Sequence, residues 1–132
     1  MSDVEANRRR GGDLRVLLGP ATVGSTSGFL GVVRLSPGEV VTEHYHPYSE
    51  EFLLVTEGTL LVTVEDTPIT AGPYESVFVA KGSRHRLENI GNTVATAVFQ
   101  LGPLAPKPEL GHVDTEELPA PDEPVAILGG GR

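Results

Sequence analysis

Two histidines one residue apart, His44 and His46, are the first side chains in this sequence with clear chemical reach. Side chains on a strand alternate faces, so both imidazoles point the same way. Two imidazoles side by side on one face suit a divalent metal ion. Pro47 stops that strand. After a short turn Glu51 opens another, on one face with Leu53 and Val55. An antiparallel return would bring the Glu51 carboxylate beside the two imidazoles. Glu50, the neighbouring carboxylate, has the opposite parity and reads as a solvated turn residue. Further on, the turn Lys81-Gly82-Ser83-Arg84 delivers His85 to the start of a strand, on one face with Leu87 and Asn89. Alone, His85 would read equally well as a satisfied core residue. Beside the His44/His46 pair it reads as a third imidazole.

Such a site needs strands to hold it, and the chain is written for strands. Gly 16 and Pro 11 make up about a fifth of 132 residues, spaced between short apolar runs. Strands are expected at 14–18, 29–35, 40–46, 52–56, 59–64, 76–80, 85–89 and 94–101, with a turn at Glu65-Asp66-Thr67-Pro68. That is about eight strands at intervals of roughly 8–12 residues, the rhythm of an all-β sandwich or barrel. No window keeps an apolar period of 3.6 over three turns. The chain divides into a flexible N-terminal arm (1–12), a barrel (13–102) and an extended, acidic, Pro-rich C-terminal tail (103–132). Arg8, Arg9 and Arg10 in the arm read as solvated, and so does His112 in the tail, which could alternatively fold over the barrel mouth as an acid/base or extra ligand. The tail's prolines bar it from central strands, and Gly129-Gly130-Gly131 are expected to be disordered.

Some residues bear on the pocket or on assembly. Gln100 is expected on one face with Val94, Thr96 and Val98, where it could meet a ligand inside the barrel. Arg84 and Arg86 flank His85 as surface charges. Tyr45, Phe52 and Leu54 lie opposite the pocket face yet are apolar or aromatic, so that face needs cover. This predicts a homodimer, in which the strand at 14–18 could add across the interface.

The net charge of −8 argues against nucleic acid and anionic membrane as partners. No apolar run approaches the ~18 residues of a membrane span. No apolar stretch precedes a small-residue cleavage site, so a cytoplasmic location is expected. Cys is 0, which removes disulfides, thiolate metal sites and a cysteine nucleophile. There is no glycine-rich phosphate loop opening a helix, so no nucleotide cofactor is expected.

Gly38, His44-Tyr45-His46, Glu51 and Gly58 together resemble the first cupin motif with every fixed position filled. The segment Ala80-Lys81-Gly82-Ser83-Arg84-His85, with Asn89, resembles the second. Ala80 stands where proline is usual. Tyr74 stands where glycine is expected, with Gly72 two places earlier. The resemblance implies a single-domain double-stranded β-helix, or jelly-roll barrel, holding one divalent metal ion. Carried over by position, its ligands are His44, His46, Glu51 and His85. The spacing of Glu51 to Gly58 fits the motif and favours Glu51 over Glu50.

The segment from Arg15 to Phe29, the run His46-Pro47-Tyr48-Ser49-Glu50-Glu51 and the tail segment Gly111-His112-Val113-Asp114-Thr115-Glu116 look like the small cupins that accompany bacterial aromatic polyketide synthases. That family includes polyketide cyclases of antibiotic and pigment pathways. The resemblance implies metal-dependent, aldol-type ring closure of a polyketide, with polyketide synthase components as possible partners. No residue is assigned as the base. With nitrogen and oxygen ligands and no thiolate, the metal could be Zn, Mn, Fe, Ni or Co. The alternatives are a cupin oxygenase on a related aromatic substrate and a non-catalytic polyketide-binding module.

Overall fold

The structure is a computed structural model that describes residues 4–124. The expected disorder at 129–131 lies outside the described residues. Among the described residues ten strands form: β1 (Asp13–Leu18), β2 (Phe29–Leu35), β3 (Val40–Tyr45), β4 (Glu50–Glu57), β5 (Leu60–Val64), β6 (Thr67–Ala71), β7 (Ser76–Val79), β8 (His85–Asn89), β9 (Ala95–Gly102) and β10 (Val113–Asp114). They build two five-stranded antiparallel sheets, β1-β2-β9-β4-β7 and β10-β3-β8-β5-β6. The inner faces close on one aliphatic core, in which Leu35, Val55, Val62 and Ala97 are wholly shielded from solvent. This is the expected double-stranded β-helix.

Four features depart from the sequence reading. First, β6 occupies residues read as turn and loop. Only Glu65 and Asp66 turn the chain, both at positive φ, and Val64 then pairs with Thr67. Pro68 within β6 lacks a donor, but β6 is an edge strand, where none is required. Second, β9 faces the other way. Ala95, Ala97, Phe99 and Leu101 point inward, and Gln100 is exposed on the outer face opposite Phe52. The inward set is the wholly apolar one, whereas the outward set carries Thr96 and Gln100. The inner face takes the two alanines, whose small volume fits between the sheets.

Third, Glu51 does not return beside β3 in a hairpin. β4 pairs with β7 and β9, in the opposite sheet from β3, so the carboxylate reaches the histidines across the barrel interior. Fourth, the arm is not loose over its described part. Asn7 pairs with Leu14, and the Arg10 carbonyl accepts from the Thr42 amide at 3.0 Å. Arg9 donates from Nη1 to the carbonyls of Pro121 and Glu123, at 2.9 and 2.7 Å. The arm therefore runs between β3 and the tail. Gly11, at φ +99°, makes its turn, and a Cβ there would collide with the Val40 carbonyl oxygen. The tail contributes β10 at the edge beside β3, pairing Val113 with Tyr45 and Asp114 with His44.

Candidate metal centre

β3 and β8 lie side by side with His44 opposite His85. His46 follows immediately after β3 and turns its ring to the same side, 4.9 Å from that of His44 between centroids. One ring nitrogen from each of the three lies within 4.8 Å of the others. All three residues are buried, His85 to 1% exposure. Glu51, also buried, enters from β4. Its Oε1 lies 3.4 Å from His46 Nε2 and 3.2 Å from His85 Nε2.

The other ring nitrogens explain this orientation. His44 Nδ1 lies 2.7 Å from the Thr42 carbonyl oxygen, His46 Nδ1 2.9 Å from that of Gly111, and His85 Nδ1 3.0 Å from that of Ser83. A carbonyl oxygen only accepts, so each Nδ1 carries the proton and donates it. In the neutral imidazole that leaves the Nε2 lone pair free. The structure thus turns Nε2 of His46 and His85 toward one carboxylate. His85 Nε2 is buried and, despite its closeness to Glu51, makes no hydrogen bond of acceptable geometry. Fixing the far nitrogen on a carbonyl is the usual second layer of a histidine metal site. An orphaned nitrogen, two neighbouring imidazoles and a buried carboxylate form a donor set that fits a divalent ion.

The electrostatics agree. Burial pushes His44 well below the ordinary imidazole value, and His85 and His46 push it further, so it stays neutral. Burial alone would raise Glu51, but the His46 and His85 rings beside it hold it well below the usual carboxylate range. Burial lowers His85 too, but the adjacent Glu51 carboxylate and the Ser83 carbonyl together outweigh it, and the net shift is upward. A permanently ionised carboxylate in an apolar barrel needs a positive charge beside it. A divalent cation supplies one.

The site lies in a cavity of about 60 Å³, lined by His44, His46, Glu51 and His85. Leu53, Leu87, Phe99 and Leu101 form apolar walls, and the arm adds Asn7, Arg10 and Gly11.

Other expected residues fall elsewhere. Glu50 is half-buried on β4, opposite Gly102 and outside the site. Asn89 is structural: its side chain donates to Leu35 and Thr93 carbonyls and accepts from the Gly91 amide. Arg84 and Arg86 form ion pairs with Glu65, Asp66, Glu88 and Glu116. His112 is not solvated. It is 9% exposed, and burial, with the charge of Arg10, lowers its pKa to about 4.

With the site in view, comparison with known proteins places the chain. A sequence profile of the cupin domain matches residues 31–100. The chain belongs to the cupin family. It is 52% identical over 130 residues to the tetracenomycin polyketide synthase protein TcmJ of Streptomyces glaucescens, covering 98% of this chain and 87% of that protein. It is 56% identical over 115 residues to protein SchB of Streptomyces halstedii, covering 87% of this chain and 83% of that one. A similar relationship, 52% over 116 residues, holds with the polyketide synthase protein CurC of Streptomyces cyaneus, covering 88% of this chain and 75% of that one. Among solved structures, a predicted oxalate decarboxylase from Thermotoga maritima superposes with a TM-score of 0.68 at 21% identity, covering 78% of this chain and 96% of that one. At that identity the likeness concerns the fold alone. No helix among the described residues is long and apolar enough to cross a membrane.

Proposed function

We propose that this cupin binds one divalent metal ion through His44, His46, Glu51 and His85 and closes a ring in an aromatic polyketide chain by an aldol-type reaction. The observation that carries the reading is the His46 and His85 Nε2 pair facing an ionised carboxylate in an aliphatic cavity, with His44 alongside. The relatives named as polyketide synthase proteins support the substrate class.

A poly-β-ketone has acidic methylenes between carbonyls. A bound divalent ion supplies Lewis-acid stabilisation of the oxygen that becomes negative as a proton leaves or a ring closes. The chain's own residues do the rest. The apolar walls around Leu53 and Phe99 exclude water from the reacting end of the chain, which strengthens every charge interaction there. Glu51, held far below neutrality, is suited to be a ligand; a general base works best with a pKa near the operating pH. No base is assigned.

We also propose a cytoplasmic homodimer that pairs through the outer face of β9, β4 and β7. Phe52 and Phe78 meet there with tilted rings, 5.3 Å between centroids, and are each about half exposed, with Leu54 beside them. The experiment is a product profile of the producing pathway with wild-type protein and with His44→Ala. Shunt products with misplaced or missing rings are expected from the variant. Unchanged products would defeat the cyclase reading and favour a binding module. Products differing only in oxygen content, with oxygen uptake tracking turnover, would favour an oxygenase.

A further inference from the structure

The arm closes one side of the cavity and brings to it a cation, Arg10. Its Nε donates to Asp114 Oδ1 at 2.7 Å, and Asp114 sits opposite His44 in the β10–β3 ladder. Its Nη2 is buried and finds no hydrogen-bond partner among the described residues. The surface arginines behave differently: Arg84 reaches Glu65 and Asp66, and Arg86 reaches Glu88 and Glu116. Arg10 uses one edge of a planar fork on Asp114 and leaves a donor over. Arg10 lines the same cavity as His44, His46, Glu51 and His85.

We propose that Arg10 anchors the substrate, its guanidinium holding an anionic oxygen, an enolate or carboxylate, of the acyl chain in the cavity. An arginine donates and never accepts, so what completes it must be an oxygen acceptor, best a charged one. Asp114 alone balances Arg10, and Glu51 alone only half balances a divalent ion, so the occupied site retains positive charge for a further anion. A cavity of about 60 Å³ admits a head group of a few heavy atoms, not a long chain. The size limits what enters, and the unpartnered Arg10 donor favours an oxygen-bearing unit. This inference rests on the polyketide reading for the identity of the substrate, and on geometry for the anion.

The test uses acetoacetate and its neutral isostere acetoacetamide, titrated into zinc-loaded and metal-free protein. Arg10→Gln should weaken acetoacetate binding about 10- to 100-fold, the range for a lost charge-assisted hydrogen bond, and acetoacetamide binding less than about 3-fold. Arg10→Lys, which keeps the charge, should recover part of the difference, and bound zinc should be the same in all three proteins. In wild-type protein the Arg10 side-chain NMR signal should move with acetoacetate and not with acetoacetamide. That second reading stands even if Arg10→Gln does not fold. Equal losses for both ligands, or an Arg10 signal indifferent to acetoacetate, would overturn the proposal. Neither measurement depends on turnover, so failure here is distinct from failure of the cyclase reading, which the product profile detects.

Discussion

At the scale of single residues, the centre is built from tautomers. Three backbone carbonyls take the Nδ1 protons of His44, His46 and His85. Metal binding must then compete with protons for Nε2 alone, and affinity should fall with pH. His85 decides where the fall begins. Its pKa is raised above 6.5, so it takes up a proton before an ordinary imidazole would. His44, lowered by burial, is protonated last. Chelator competition from pH 8 to 5 should show affinity already dropping above the ordinary imidazole value of 6.5; a flat profile down to pH 5 would exclude His85 as a ligand. The spacing of His44, His46 and Glu51 was readable because strand periodicity is local. Arg10 was not, since its role depends on Asp114, 104 residues away. Nothing in Arg8-Arg9-Arg10 distinguishes a buried arginine from two neighbours.

At the scale of elements, hairpins and edges explain what the sequence hid. Pro68 argued against a strand, and only the edge position of β6 makes it harmless. In β9 the reading placed the Val94, Thr96, Val98 and Gln100 set inward, whereas the Ala95, Ala97, Phe99 and Leu101 set fills the core. Tyr74 shows the reverse. The family's glycine is missing there, yet the backbone keeps the left-handed conformation that glycine would serve, with φ at +64°. Its amide bonds the Val55 carbonyl at 2.6 Å, which holds the β6–β7 turn against β4. The ring is 79% exposed, so its packing is not what selects the conformation. Tyr74→Gly should therefore be tolerated or slightly stabilising. Tyr74→Val should cost about 1 kcal/mol or more, because a β-branched residue fits that region worst. Thermal unfolding of the two variants separates them; equal melting temperatures would show that the turn carries no strain.

At the scale of the whole molecule, two sheets, an arm and a tail close one aliphatic barrel, and the outer sheet face around Phe52 and Phe78 stays bare. The alternation of Phe52 and Leu54 with Glu51 and Leu53 made that face visible in the sequence, because both parities were apolar. If the proposed dimer forms, Phe52→Glu should turn it into a folded monomer by sedimentation at tens of micromolar, since a carboxylate would have to be desolvated in the interface; an unchanged dimer would put the interface elsewhere, and a monomeric wild type would refute the dimer. The barrel's closing pieces were less visible, because arm and tail are irregular segments that gain structure only from each other, as Arg9 does from Pro121 and Glu123. The proposed function nevertheless rests on one ion in one place. Elemental analysis of protein purified without chelator tests this most directly. About one divalent metal per chain is predicted for the wild type, with near-complete loss in both His46→Ala and His85→Ala. Full metal content in those two variants, folded as the wild type is, would contradict it.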